Sequence, residues 1–203
     1  MRYDANKHHR RSIRLKGYDY TQAGAYFITL VSWQRECLFG EIRSGEISLN
    51  ALGSLVDNEW RRLGKRFERV VVDELIVMPN HVHGILVIAA EDLVGAGGVG
   101  ARQEGTDKVG EYPFASPLRG VRGSACGVIP GSLGAIVGAY KSTTARLING
   151  LRRTPGAPVW QRNFYEHIIR DESEWEAIRV YIHNNPFEWE ADNENPARSE
   201  ASE

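Results

Sequence analysis

Residues 70–90 read VVVDELIVMPNHVHGILVIAA, and the fold turns on this stretch. Val70–Val77 is a short apolar run bracketed by charge, Met78-Pro79-Asn80 supplies turn residues, and His81–Ala90 is a second apolar run. Short runs rich in β-branched residues, parted by such a turn, read as two adjacent strands of a hairpin. Upstream, Ala25–Trp33 (AYFITLVSW) reads as a strand leaving the Gly24 turn. From Asn50, a good N-cap, Leu52, Leu55, Val56, Trp60 and Leu63 recur at helical spacing.

Downstream, Ser132 caps an amphipathic helix striped by Leu133, Ile136, Val137, Tyr140, Leu147 and Ile148, which Gly150 is expected to end. Phe164–Arg170 (FYEHIIR) reads as a short strand. Ser173-Glu174-Trp175-Glu176 has the spacing of a capping box, opening a helix that runs to Asn184-Asn185-Pro186. The order β-α-β-β-α-β-α predicts an α+β fold: a ferredoxin-like, split βαβ sandwich with an antiparallel sheet and an added C-terminal helix that carries Tyr181.

Composition fits one soluble domain: of 203 residues, 42% are hydrophobic and 25% charged, the ordinary range for a globular chain. The first residues lack the apolar stretch of a signal peptide and the longest apolar run is too short for a bilayer, so no membrane association and a cytoplasmic location are expected. Cys37 and Cys126 are far apart and in no CxxC pattern, and both read as ordinary thiols.

A net charge of −1 hides an asymmetry. Arg2, Lys7, Arg10, Arg11, Arg14 and Lys16 crowd the start, whereas Glu188, Glu190, Asp192, Glu194, Glu200 and Glu203 crowd the end. The expected organisation is a basic arm over 1–16, a main domain over 17–187 interrupted by a flexible Gly-rich insertion at 91–131, and an acidic tail over 188–203. On charge alone, the arm reads as a phosphate-binding element or as a solvated terminus.

His81 and His83 lie two apart on a strand, so both imidazoles project from one face and can meet a shared ion. Tyr181 and Asn185, four apart, share a helix face if Pro186 does not distort the backbone before it. On spacing alone Tyr181 also reads as a core aromatic beside Ile178 and Ile182, and Asn185 as a helix C-cap. Ile85 occupies the third position of what would be an HxHxH array, which argues against a histidine-based nucleotide hydrolase. Neither cysteine nor further histidine stands at the spacing of a four-ligand zinc site.

Three motifs occur in order: Met78-Pro79-Asn80-His81-Val82-His83-Gly84, Trp160-Gln161-Arg162-Asn163-Phe164-Tyr165-Glu166-His167-Ile168-Ile169-Arg170, and Tyr181-Ile182-His183-Asn184-Asn185-Pro186. In these the chain resembles the REP-associated tyrosine transposases, single-tyrosine HUH (IS200-like) enzymes, over roughly residues 17 to 187. The resemblance implies a ferredoxin-like domain with His81 and His83 as ligands of Mg²⁺ or Mn²⁺, Asn185 as third ligand and Tyr181 as nucleophile. It implies attack on single-stranded or hairpin DNA at REP-like sequences, a 5′-phosphotyrosine intermediate, and rejoining by a 3′-hydroxyl. No nucleotide cofactor is expected, in keeping with the absence of a GxxxxGK[ST] stretch. The alternative is a catalytically silent hairpin-binding module. Either a monomer or a homodimer, with the tyrosine helix of one copy serving the other, is compatible with the sequence.

For the DNA path, the expected phosphate contacts are Arg10, Arg11, Arg14, Lys16, Arg61, Arg62, Lys65, Lys141, Arg146 and Arg152, with Arg153 beside the last. Trp160, Phe164 and Tyr165 are candidates for base stacking, although aromatics beside a strand are more often core. His167 is expected to close a structural hydrogen bond, and His183 to face away from Tyr181.

Overall fold

The computed structural model describes residues 18–90 and 129–200. Arg10, Arg11, Arg14 and Lys16 of the basic arm lie outside the described residues, as do Cys126 and most of the Gly-rich stretch, whose Arg119 and Arg122 read from sequence as linker charges or as further DNA contacts.

In chain order the elements are β1 (Gly24–Val31), β2 (Gly40–Arg43), β3 (Glu46–Leu49), α1 (Ala51–Arg61), α2 (Leu63–Arg66), β4 (Val70–Val77), β5 (His81–Ile88), α3 (Leu133–Arg152), β6 (Tyr165–Ile169), α4 (Glu172–Asn184) and α5 (Pro196–Glu200). The main sheet has the order β4-β5-β1-β6, and every pairing in it is antiparallel. β1 and β4 therefore run parallel with β5 between them, the expected split βαβ arrangement.

The hairpin β2–β3 was not anticipated. Its loop, Ser44-Gly45, has positive φ at both residues (52° and 79°), the conformation whose twist matches a two-residue hairpin. Three boundaries also differ from the sequence reading. α3 passes through Gly150 to Arg152 and ends on Arg153 in the left-handed region (φ 57°). α4 starts at Glu172, and its N-cap is Asp171, two residues before Ser173; the Asp171 side chain accepts from Glu174 N at 2.8 Å. β1 ends at Val31, after which Trp33–Arg35 form a 3₁₀ turn.

Alternation along the strands divides the interior into two layers. Tyr26, Ile28, Leu30, Val82, Leu86 and Ile88 face α1 and α3, packing with Val56, Trp60, Ile136, Val137 and Tyr140. Ala25, Phe27, Ile85 and Val87 face α4, packing with Trp175 and Ile182. Every residue of β5 is buried, as its near-continuous apolar sequence demands. α4 is latched to β4 through Asp73: its Oδ2 accepts from Trp175 Nε1 at 2.6 Å, and its two oxygens take Arg179 Nε and Nη2, each at 2.9 Å.

Gly84 is where the first layer is tightest. A Cβ there would lie 2.5 Å from Cζ2 of Trp60, which is itself fully buried. Gly138, exposed on α3, has nothing near its missing Cβ. The two Gly→Ala substitutions should thus act with opposite signs. Gly84→Ala is expected to destabilise by about 1–3 kcal/mol through overpacking. Gly138→Ala should stabilise by roughly 0.5–1 kcal/mol through helix propensity. Urea unfolding of the two variants tests this, and a Gly84→Ala protein as stable as the parent would contradict the packing described.

Candidate functional site

The alternation of β5 puts His81 and His83 on the α4 face, their rings 4.5 Å apart between centroids. Each ring is held through Nδ1. His83 Nδ1 is 2.8 Å from Oγ1 of Thr29, its direct partner across the β1–β5 ladder, and His81 Nδ1 is 2.9 Å from Asn80 Oδ1. Both Nε2 atoms are thereby left toward α4. His81 Nε2 is buried and without a hydrogen-bond partner.

α4 delivers Tyr181 and Asn185 to the same place. The Tyr181 hydroxyl is 3.4 Å from His83 Nε2, and its ring stands edge-on to Phe27 with centroids 5.9 Å apart. Tyr181 is 42% exposed, so its oxygen sits at the mouth of the site rather than within the core. Asn185 keeps helical angles (φ −55°, ψ −38°) despite Pro186, and the one-face spacing with Tyr181 is intact. Its Oδ1 is buried with no hydrogen-bond partner.

The sequence reading missed Asp192. Residues 188–195, read as part of an acidic tail, fold back over β5. Trp189–Ala191 form a 3₁₀ turn with the Trp189 ring 6.0 Å from that of His81, and Asp192 Oδ2 comes within 3.7 Å of His81 Nε2. The segment is tied down at Glu194, whose carboxylate accepts from Arg35 Nε at 2.7 Å and whose carbonyl accepts from Asn80 Nδ2 at 2.7 Å. The signal available in sequence was Trp189, an aromatic in an otherwise acidic stretch. One ligand atom each from His81, His83 and Asp192 lies within 4.8 Å of the others, a spacing that suits a single cation.

Burial pushes both imidazoles below their ordinary range, His83 well below with His81 adding to the effect. For His81 the charges of Asp192 and Glu194 and the side chain of Asn185 pull the other way. Burial raises the Tyr181 phenol; Asp192, Glu188 and Glu194 add to this, and Asn185 opposes it. At neutral pH the site therefore holds neutral imidazoles and a neutral phenol beside carboxylates.

The basic residues named from sequence go elsewhere. Arg61, Arg62, Lys65, Lys141, Arg146 and Arg152 all belong to the α1–α3 layer, on the sheet face opposite His81 and His83. Arg61 forks onto Asp57 at 2.8 and 3.0 Å, and Arg62 meets Glu59 at 2.6 Å. Lys141 is turned inward: Nζ donates to the carbonyls of Gln161, Arg162 and Asn163 at 2.6, 3.2 and 3.2 Å, and burial lowers its pKa to about 8. It braces the loop before β6 and is not free to meet a phosphate. Among the aromatics, Trp160 is buried with Nε1 on Thr144 Oγ1, and Phe164 packs on the core. Tyr165 alone of the three is exposed, on the α4 face near Phe27. His167 pairs with Glu174 at 2.6 Å, and His183 is exposed.

No protein-family model matches the chain. It is 38% identical over 191 residues to an uncharacterized protein of Haemophilus influenzae, covering 94% of this chain and 96% of that one. Among solved structures it is similar to a REP-associated tyrosine transposase bound to a REP hairpin, with TM-score 0.47, 17% identity and coverage of 88% of this chain and 72% of that chain. It is also similar to a proposed transposase from Deinococcus radiodurans, with TM-score 0.41, 17% identity and coverage of 85% and 97%.

Because both folded-state imidazoles titrate below the unfolded value near 6.5, the unfolded chain takes up protons first as pH falls. Their contribution to stability is complete above that value and is lost on acidification below it. The melting temperature should therefore drop between about pH 7 and about pH 5. The drop should shrink in His81→Gln/His83→Gln protein; an unchanged pH profile in that variant would show that other groups carry the acid sensitivity.

Proposed function

The chain belongs to one family with the uncharacterized Haemophilus influenzae protein, and we propose that it is a metal-dependent enzyme that cleaves and rejoins single-stranded DNA through Tyr181. The observation that carries this reading is the placement of an accessible phenol 3.4 Å from a buried imidazole nitrogen, over a cluster of unsatisfied donor atoms.

The donor set fits a divalent cation. His81 Nε2 and Asn185 Oδ1 are buried polar atoms with no partner, a costly state unless something binds there, and His83 and Asp192 complete a ring of nitrogen and oxygen donors. Asp192 joins Asn185 as a candidate for the third position. A bound Mg²⁺ or Mn²⁺ would polarise a phosphate oxygen and offset charge developing on it.

Tyr181 supplies the nucleophile. Its Oη forms a bond to phosphorus as the bond to the 3′ oxygen breaks, and the phenol proton leaves to solvent while the departing oxygen becomes a 3′-hydroxyl. The phosphodiester is exchanged for a 5′-phosphotyrosine ester, so a 3′-hydroxyl attacking in reverse rejoins strands without a nucleotide cofactor. Phe27 and His83 fix the ring from two sides, which limits the orientations the phenol can take. The main domain at 17–187 is read as extending through the Asp192 segment, with hairpin-forming REP-like DNA as substrate and the cytoplasm as its location. No helix among the described residues is long and apolar enough to cross a membrane.

Labelled hairpin DNA with single-stranded flanks, incubated with Mn²⁺ or with EDTA, tests the reading on a denaturing gel. A covalent adduct should form with Mn²⁺, vanish with EDTA and vanish in Tyr181→Phe. Hairpin binding without any adduct would make the chain a DNA-binding module instead. Asp192→Asn should weaken Mn²⁺ binding by more than the roughly 10-fold typical of losing a supporting residue. Calorimetry showing unchanged affinity would remove Asp192 from the ligand set.

A further inference from the structure

We propose that Asn80 is the positioning residue of this site: its amide fixes which nitrogen of His81 carries the proton and ties the Asp192 segment over the other. One side chain would thus assemble two of the metal-binding groups. The inference rests on the metal-site reading above and adds to it a residue that touches neither metal nor DNA.

Asn80 is fully buried in the turn that leads into β5. Its Nδ2 lies 3.0 Å from the carbonyl oxygen of Arg35 and 2.7 Å from that of Glu194. A carbonyl oxygen only accepts, so the NH₂ end of the amide must face these two groups. Oδ1 is then the end that meets His81 Nδ1 at 2.9 Å, and the hydrogen in that contact belongs to the ring. A neutral imidazole has a single N–H, so Nε2 presents its lone pair. That atom is the buried, unpartnered one, 3.7 Å from Asp192 Oδ2.

The two carbonyls that Asn80 Nδ2 meets tie down separate segments. Arg35 O comes from two consecutive non-glycine residues in the left-handed region, Gln34 (φ 54°) and Arg35 (φ 57°). Such backbone persists only where the surroundings enforce it. The Asn80 amide is one of the groups that do so, while the Asn80 carbonyl accepts from Ser32 N at 2.7 Å. Glu194 O comes from the segment that carries Asp192. Arg35 Nε also reaches Glu194, but that ion pair is half exposed on the arginine side and contributes little.

In ¹⁵N-labelled, metal-free protein, two-bond ¹H–¹⁵N correlations report which imidazole nitrogen is protonated, with His81 assigned by its loss in His81→Gln. The wild type should carry the proton on Nδ1, an outcome that does not require Asn80→Ala to fold. In Asn80→Ala the proton should move to Nε2, the usual site in water, with Mn²⁺ binding weakened at least about tenfold. Asn80→Asp, which still offers an accepting oxygen, should keep the Nδ1 proton. Arg35→Ala should leave the tautomer unchanged and Mn²⁺ affinity within about twofold. A wild-type proton on Nε2, or an Asn80→Ala protein with Nδ1 still protonated or Mn²⁺ affinity intact, would overturn the proposal. None of these readouts uses DNA, so they stand or fall separately from strand cleavage.

Discussion

The Trp60 indole seated on Gly84 is the contact on which the site's geometry depends. β5 is buried on both faces, and a slip of one residue would send its imidazoles into the Trp60–Tyr140 layer and its aliphatic side chains toward α4. Only glycine leaves room for the indole at that point. The contact therefore holds the strand in register, and register decides that His81 and His83 face α4. The neighbouring strand then acts through the same register: Thr29 stands opposite His83 and can steady its Nδ1 because no other pairing is available.

A second constraint aims α4. Asp73 sits where the β4–β5 register shifts between Val72 and Leu75, and that irregularity presents its carboxylate to the helix. Trp175 and Arg179, one turn apart, both donate to it. Fixing two points on one helix face fixes the rotation of the rest, so Tyr181 and Asn185 arrive over β5 while Ile182 turns into the apolar layer. A charged, bidentate and partly buried contact suits this task better than apolar packing, which tolerates sliding.

Much of this was legible in the sequence. The main sheet and its helices follow from hydrophobic periodicity, and the HxH pair with the YIHNNP helix follows from motif order. The β2–β3 hairpin escaped because GEIR and EISL are short and half exposed, leaving Ser44-Gly45 as the lone cue. Gly150 does not stop α3, since a helix ends where continuation costs more than termination, and Leu151 and Arg152 still extend it. At the start of α4, Asp171 and Ser173 both qualify as caps; Glu174, three residues after Asp171, completes the cap there. Asp192 was invisible because its neighbour is fixed only by tertiary contacts. The basic residues of α1–α3 are a different kind of miss. Right-handed crossovers in a split βαβ fold put both helices on one face. Their arginines could thus have been assigned, from topology alone, to the side of the sheet away from His81.

Charge near Tyr181 gives the proposed metal a role beyond polarising a phosphate. Burial keeps both imidazoles neutral and is the main cause that raises the phenol's pKa, to which the nearby negative charges of Asp192, Glu188 and Glu194 add. A DNA phosphate brought there would be repelled by these charges, and the described basic residues of α1–α3 lie behind the sheet. Two imidazoles, an amide oxygen and a carboxylate would leave a dication part of its charge, so an occupied site would be less negative than an empty one. On the proposed reading, the same carboxylate that binds the cation also discourages DNA from approaching without it. Metal before DNA would then be the order that electrostatics favours.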